Sequence, residues 1–574
     1  MLKKNWVFGE IDFSALEKVK KRFCLKDSIA KLIVKRIGSE DKAIESFIKP
    51  ELRSLPEPSL MAELEKGAER LVSAIVNKQK IVIYGDYDAD GVTATALLLL
   101  FLKEINYPVD FYIPDRIKEG YGLNKEAIDL FKANGVKLIV TVDCGISDYE
   151  IVEYGRQKGI DFIITDHHTP PKILPNASAV INPKRKDCKF PFKELAGVGV
   201  AFYLLIELRK QLRKKGYFNI VKEPNLKTFL DLVAIGTIAD MVPLLGPNRV
   251  FVKYGLDEIN STKRKGLKIL REELLIETLD VKSVSFRIAP RINASGRVSS
   301  PIEALKLLLT SDEGKAKELV KQLHKTNSQR QKVEEQALNE ALKQIELLGN
   351  RYTYCLYSPD WHQGVLGIVA GKLVDRLKKP CFVFTNEKEK VIKGSGRSIE
   401  KFPLDIVLSD FTDYLLDFGG HRLACGLVMR GDVLHTFSEY IENRARSLLK
   451  DEEFCEIYNI DSALSLNEID EDFFKQLEML EPFGYGNPEP VFLMDDLEVI
   501  NYKFVGAKEN HLKLYLKKND TYFNAIGFSL SNNGISEHSR ISAIGMPKQR
   551  EFNGTKSWDF YIKDYIVSVS RKTL

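Results

Sequence analysis

Cysteine is scarce and scattered. There are seven in 574 residues, at positions 24, 144, 188, 355, 381, 425 and 455, and none are spaced as CxxC. That excludes a disulfide framework and a zinc knuckle and points to a reducing compartment. Long apolar runs are missing too. Ala96 to Leu102 is as long as any, far short of the roughly 20 residues a membrane helix needs. The opening MLKKNWVFGEIDF is basic but lacks the apolar stretch of a signal peptide. Charge of one sign is also missing, since 85 Lys and Arg face 80 Asp and Glu, a net charge of +5. The chain is therefore no polybasic coat, and a nucleic-acid partner would need a local basic surface. Internal repeats and low-complexity tracts are absent. The expectation is a cytoplasmic protein with no membrane partner.

What is present is ordinary globular sequence, long enough for several domains. Residues 1–76 read as a helical region with a Pro-rich break at Pro50 to Pro58. From Lys80 the runs KIVIYG, VDFYI, KLIVT, DFIIT and SAVIN alternate with segments able to hold helices. That pattern predicts βαβ units and a parallel sheet in a domain over 77–312, helix-rich from Gly197 onward. Residues 313–348 have no Pro and are rich in Lys, Glu, Gln, Leu and Ala. They predict one long connecting helix, or two with a break near Asn327-Ser328. A second α/β domain is expected over 349–450, with strands TYCLYS, CFVFT and KVIKGSG and the helix GVLGIVAGKLVDRL. The β-rich stretch 454–574 fits a barrel of the oligonucleotide-binding type, with HLKLYLKK and TYFNAIGF as a hairpin turning at Asn519-Asp520.

The chemistry lies at the strand ends. KIVIYG runs into Asp86-Tyr87-Asp88-Ala89-Asp90, KLIVTV into Asp143, and DFIIT into Asp166-His167-His168. Open parallel sheets bind ligands at the carboxyl ends of their strands. Four or more carboxylates in one crevice repel one another unless cations neutralise them. Oxygen ligands with one imidazole suit Mn²⁺ or Mg²⁺ better than zinc. Two such ions about 3.5–4 Å apart can activate a water and stabilise an in-line displacement at phosphorus. A lone Asp after a strand is often only a helix cap, but three acidic clusters after three sheet-like runs outweigh that reading. Asp240, in the apolar segment LVAIGTIADMVPL, is either a further ligand or an acid paired to an Arg or capping a helix; the residues alone do not choose.

DYDADG, VDCG, DHH and AIGTIADMVPL, in this order, resemble the four motifs of the DHH phosphoesterase superfamily, and GGHRLACG (419–426) resembles the signature of its associated domain. DRIKEGYGLN (115–124), APRINASGR (289–297), SPDWHQGVLGIVAGKL (358–373), GSGRS (394–398) and EPFGYGNPEP (481–490) narrow the resemblance to its RecJ-type exonucleases, over nearly the whole chain.

The resemblance implies a single-stranded-DNA-specific 5′→3′ exonuclease of DNA repair and recombination, releasing 5′-mononucleotides with two divalent metal ions, Mn²⁺ or Mg²⁺. It implies Asp88, Asp90, His167 and Asp240 as metal ligands with Asp86 assisting, Asp143 bridging, His168 facing the scissile phosphate and Asp166 orienting its neighbours. Arg116, Ser395 and Arg397 match a 5′-phosphate pocket. Arg291, Asn293, Arg297, His362 and His421 match substrate contacts, although Arg297 could be a salt-bridged structural residue and Gly419 and Gly420 a tight turn.

Implied partners are single-stranded DNA, a helicase and a single-strand-binding protein, for a monomeric enzyme. In the barrel, Tyr502, Lys503, Phe504, Lys508, Lys513, Tyr515, Lys517, Lys518, Tyr522 and Phe523 interleave aromatic and basic residues. Strand alternation should put half of them in the core, so none is singled out. Two other readings stay open: a DHH-type hydrolase of short oligonucleotides or small phosphoesters, and a non-catalytic single-strand-binding scaffold.

Overall fold

The structure, a computed structural model, describes residues 3–116, 118–506, 509–530, 534–552 and 555–567. The chain forms two compact units. One comprises residues 55–243 and 247–455, the other residues 4–54, 244–246 and the chain from Glu456.

In the first unit the five expected runs become strands of one parallel sheet. Its order is Asp110–Tyr112, Ile81–Gly85, Leu138–Val142, Asp161–Thr165, Ala179–Ile181. Ile81–Gly85 and Leu138–Val142 are buried along their whole length, which explains their unbroken β-branched character. Ala89–Glu104 follows the first of these strands as a helix buried on nearly all sides. The second half of this lobe is helical, with Gly197–Lys214, Leu230–Ala239 and Ala289–Val298 bearing on the site described below.

Glu313–Leu348 is one continuous helix of 36 residues. The alternative break at Asn327-Ser328 does not occur. Asn327 is buried and its side chain accepts from Arg330 Nη2 at 2.8 Å, so it does not compete for the helix's own backbone groups. The helix packs on Ala289–Val298 near its start and on helix Leu366–Leu377 further along, joining two lobes of one unit.

The second lobe carries a mixed five-stranded sheet, ordered Leu415–His421, Ala424–Arg430, Val391–Arg397, Cys381–Lys388, Tyr354–Tyr357. Here the turn reading of Gly419 and Gly420 is corrected. Both lie inside strand Leu415–His421, paired with Gly426 and Cys425. A Cβ on Gly420 would stand 2.5 Å from the Ala424 carbonyl oxygen, so the glycine serves close strand approach.

In the second unit, strands Phe492–Val505, His511–Lys518, Thr521–Gly527, Thr555–Val567 and Arg540–Phe552 close into a barrel, because the first pairs with the last. The expected hairpin is present, with Lys518 opposite Thr521 and Asn519 at φ 52° in the turn. The N-terminal helical region divides between the units. Helices Phe13–Phe23, Asp27–Ile37 and Asp41–Ile48 share one core with the barrel, whereas Leu64–Val76 belongs to the first unit. Amphipathic spacing shows that a helix has an apolar face, not which sheet covers it. Lys4 and Trp6 both donate to the buried Asp564, at 2.8 and 2.9 Å, clasping the N-terminal strand to the barrel.

Ile29 is fully buried in that shared core. Ile29→Ala should lower the unfolding free energy of the barrel unit by about 2–5 kcal/mol, read from denaturant melts followed by barrel-specific probes.

Candidate active site

Three strands end at one edge of the parallel sheet, and each hands its next residue to the same crevice. Asp86 follows Ile81–Gly85, Asp143 follows Leu138–Val142, and Asp166 follows Asp161–Thr165. Asp143 adopts φ 63°, and its N–H donates to the Thr165 carbonyl at 3.0 Å; Asp is among the few residues that tolerate this conformation. Helix Gly197–Lys214 abuts it. A Cβ on Gly197 would come within 2.5 Å of Asp143 Oδ1, so only glycine admits the approach.

The DYDAD segment divides its acids. Asp88 caps helix Ala89–Glu104, accepting from the N–H groups of Asp90 and Gly91 at 2.9 and 3.0 Å. Asp90, two residues on, accepts from the Gly197 and Val198 N–H groups at 2.6 and 2.9 Å, where a helix N-terminus favours negative charge. Asp240 ends helix Leu230–Ala239. The outcome is three overlapping trios: Asp86, Asp88 and Asp143; Asp90, His167 and Asp240; Asp143, His167 and His168. In each, the ligating atoms lie within 4.8 Å of one another. His167 Nε2 stands 3.2 Å from Asp143 Oδ1 and 3.6 Å from Asp240 Oδ2.

Burial, and after it the charge of neighbouring carboxylates, holds Asp86, Asp143 and Asp240 well above the usual carboxylate range. The same causes push Asp90 up to about 7. Burial and then the charge of His168 depress His167 to about 3. Five atoms here are buried without a hydrogen-bond partner: Asp86 Oδ1, Asp143 Oδ1, Asp240 Oδ2 and both ring nitrogens of His167. Each such group costs on the order of 1–3 kcal/mol or more if left unpaired. An all-carboxylate trio beside one that adds the neutral His167 imidazole fits divalent cations of the Mn²⁺ or Mg²⁺ type.

Asp166 does not face the trios. Its fully buried carboxylate accepts from the N–H groups of His167, His168 and Ile146 at 2.7, 3.0 and 3.0 Å and meets His168 Nδ1 at 2.7 Å. Burial pulls His168 down, but the hydrogen bond and charge of Asp166 outweigh it and lift the imidazole to about 9.

A basic group lies beside the acids. The Arg116 guanidinium sits 5.0 Å from the Tyr87 ring centroid. Arg397 Nη1 donates to Ser395 Oγ at 3.0 Å. A Cβ on Gly367, second residue of helix Leu366–Leu377, would be 2.9 Å from Arg397 Nη2 and 3.1 Å from Ser395 Oγ. Burial, and then the charge of Arg116, lowers Arg297 to about 10. Among the described residues none of these three arginines is ion-paired to a carboxylate, so Arg297 is not the salt-bridged residue that the sequence left open.

The remaining expected contacts are partly engaged elsewhere. Asn293 Oδ1 accepts from the Ala89 N–H at 2.7 Å, bracing the acidic loop. Arg291 donates to His324 Nδ1 at 2.9 Å and to the Arg287 carbonyl at 2.6 Å. His362 Nδ1 accepts from the Gly364 N–H at 3.0 Å, and Arg297 Nη1 reaches the Gly364 carbonyl at 3.2 Å. The charge of His168 is felt at His421, on the strand end of the second lobe. Three residues were not singled out from sequence. Tyr121 places its hydroxyl 3.3 Å from the Asp143 carbonyl oxygen and 3.2 Å from His168 Nδ1. Asn182, fully buried, donates to the His168 carbonyl at 2.9 Å and accepts from the Lys184 N–H at 2.8 Å. Lys184, 3.5 Å from Glu194 Oε2, adds its charge as a lesser influence, after burial, on His167, Asp240 and His421. Their only signal was position, in a Gly-Tyr-Gly loop and just after a sheet strand.

On the barrel, the mixed aromatic and basic set separates by face. Phe523 is core, and Tyr502 and Phe504 pack partly against it. Lys513, Tyr515 and Tyr522 point outward; the two tyrosines stack at 5.7 Å with an interplanar angle of 21°, and Lys517 lies 5.2 Å from the Tyr522 centroid. Lys508 lies outside the described residues. No helix among the described residues is long and apolar enough to cross a membrane.

Family models match three stretches: the DHH family N-terminal domain over residues 80–237, the DHHA1 domain over 349–447, and the RecJ OB domain over 460–564. The chain is 36% identical to the single-stranded-DNA-specific exonuclease RecJ of Bacillus subtilis over 576 residues, covering 99% of this chain and 71% of that one. With the Haemophilus influenzae exonuclease of the same name it is 36% identical, covering 90% of this chain and 92% of that one. The crystal structure of Thermus thermophilus RecJ with Mn²⁺ superposes with a TM-score of 0.84 at 29% identity, covering 99% of this chain and 80% of that one.

In the metal-free protein, one imidazole should titrate near 9 and another near 3 by NMR. A raised histidine pKa stabilises the fold below the ordinary value near 6.5, and that stability is lost as pH rises through about 9. Asp166→Asn should bring the upper titration down by more than one unit; an unmoved titration would show that Asp166 is not its cause.

Proposed function

Because the chain belongs to the RecJ family of DHH phosphoesterases, we propose that it is a single-stranded-DNA-specific exonuclease that works from the 5′ end and releases 5′-mononucleotides, in DNA repair and recombination. The observation that carries the reading is the meeting of partnerless buried carboxylates and imidazole with arginines that have no carboxylate of their own. A phosphodiester needs both: cations at the bond that breaks, and a fixed positive pocket for its terminal phosphate.

Asp86, Asp88 and Asp143 would hold one divalent cation and Asp90, His167 and Asp240 the other, with Asp143 adjacent to both sets. Mn²⁺ or Mg²⁺ bound there supplies a nucleophilic hydroxide at neutral pH and neutralises the phosphate. The chain's own groups do the rest. Asp90 is fixed by two helix N–H groups, so its carboxylate cannot swing away. Asp166 keeps His168 cationic and commits its Nδ1 proton, leaving the Nε2 proton for a phosphate oxygen. Tyr121 and Asn182 hold the backbone and ring around that histidine. Ser395 and Arg397, on strand Val391–Arg397 and beside the first turn of helix Leu366–Leu377, with Arg116 from the first lobe, would grip the 5′-phosphate bidentately. Arg297, and less directly Arg291, His362 and His421, would line the path of the strand.

The outward tyrosines and lysines of the barrel offer a stacking surface to single strands. An enzyme restricted to single strands needs duplex opened for it, which supports a helicase and a single-strand-binding protein as partners of a monomeric, cytoplasmic enzyme.

With Mn²⁺ present, a 5′-labelled single strand should give labelled mononucleotide first, a duplex should be spared, and chelation should stop the reaction. Asp143→Ala should cut cleavage by about 100-fold or more while binding the strand as before. Normal cleavage by that variant would discard the proposed centre. Tyr515→Ala with Tyr522→Ala should weaken strand binding roughly 5- to 150-fold, the worth of one stacked base, measured by fluorescence anisotropy.

A further inference from the structure

Arg116 lies in the loop between strand Asp110–Tyr112 and helix Lys125–Ala133, in a segment without regular structure. The backbone of this loop is pinned by Glu119, whose carboxylate accepts from the Asp115 N–H, the Tyr112 hydroxyl and Asn124 Nδ2. The Arg116 side chain takes no part in that network. Among the described residues it forms no hydrogen bond and no ion pair; it lies over the face of Tyr87, 5.0 Å from the ring centroid, and its charge also reaches Asp86.

Tyr87 is itself immobilised. It sits between Asp86 and Asp88, the first of which follows a buried strand and the second of which caps a helix. Behind it, Gly296 of helix Ala289–Val298 closes on its backbone, so that a Cβ there would stand 2.4 Å from the Tyr87 carbonyl oxygen. Both backbones are therefore held, and the Arg116 side chain, which has no hydrogen bond or ion pair of its own among the described residues, rests on the fixed ring.

We propose that Tyr87 is a positioning residue for the terminal phosphate: its ring holds the Arg116 guanidinium in place and so sets the preference for a 5′-phosphorylated strand. The chemistry favours a ring over a carboxylate. A salt bridge would fix the guanidinium but neutralise it and occupy the N–H fork that a phosphate must take. A π face attracts the cation from one side, leaves its charge intact and leaves its in-plane N–H donors free. The choice also suits the surroundings, where a sixth carboxylate would worsen the repulsion around Asp86 and Asp88.

This inference rests on the reading of Arg116, Ser395 and Arg397 as the 5′-phosphate pocket, and the experiment separates the two. The full chain with Mn²⁺ is given strands of one sequence bearing either a 5′-phosphate or a 5′-hydroxyl, and the ratio of kcat/KM values is the readout. Wild type should prefer the phosphate, and Arg116→Ala should lose that preference; if either fails, the pocket reading falls and the inference with it. Tyr87→Phe should keep the preference. Tyr87→Leu should lower it by about 3- to 30-fold, the usual range for one partly desolvated cation–π contact, through KM for the phosphorylated strand, with Mn²⁺ affinity by calorimetry unchanged. Pentafluorophenylalanine at position 87 keeps the ring's shape and reverses its quadrupole, so it should behave like Leu rather than Phe. If Tyr87→Leu or the fluorinated ring retains the wild-type ratio, or if the ratio falls only together with Mn²⁺ affinity, the positioning role is overturned.

Discussion

The site is organised by an electrostatic debt. Five carboxylates, those of Asp86, Asp88, Asp90, Asp143 and Asp240, converge on one sheet edge, and three of them are almost wholly buried. Among the described residues none of them is ion-paired to a Lys or Arg, and the nearby charges of Arg116, His168 and Lys184 do not offset the burial of Asp86 and Asp240. Two helix N–H groups serve Asp90 and two others serve Asp88, while Asp86, Asp143 and Asp240 retain buried oxygens with no partner. Left alone, such a cluster lifts its own proton affinities until some members are neutral, which is the direction seen for every buried acid in it. Divalent cations would resolve the conflict without protons, and Asp143 belongs to two of the trios able to hold one.

The rest of the first unit can be understood as what holds that conflict in place. The strands that carry the acids are buried at their carboxyl ends, so those ends cannot retreat from one another. Helices Gly197–Lys214 and Leu230–Ala239 bring in the N–H groups for Asp90 and the carboxylate of Asp240. Asp166 holds the loop that bears the histidines and raises His168, while burial and then the charge of His168 lower His167, so the two adjacent imidazoles separate. The 36-residue helix and the Arg297–Gly364 contact join the acidic lobe to the lobe of Ser395 and Arg397. Positive charge thereby stands near the acids without being cancelled by them.

The barrel unit solves a different problem. A five-stranded barrel of this size has a small core, and here three N-terminal helices complete it. Its outward tyrosines are consequently free for contact with a partner, because the inward positions Leu512, Leu514 and Leu516 already carry the packing.

The sequence by itself determined the order of elements and the chemistry of the site. Five β-branched runs had to be strands of a parallel sheet, and acids placed directly after three of them had to share its carboxyl edge, because that is a consequence of strand direction alone. The long helix, the second α/β lobe and the Asn519-Asp520 hairpin were legible for the same reason: periodicity and turn chemistry act over short distances. What tertiary structure decided were pairings between residues far apart. Only the fold could join residues 4–54 to the barrel, assign Asp90 to Asp240 and Asp86 to Asp143, make Gly420 a site of strand contact rather than a turn, and reveal Tyr121, Asn182 and Lys184 around the histidines. It also decided that Arg116 lies over an aromatic face and, among the described residues, forms no ion pair. Local sequence encodes which groups a residue carries; which groups it meets depends on chain segments tens to hundreds of residues away, brought together by burial.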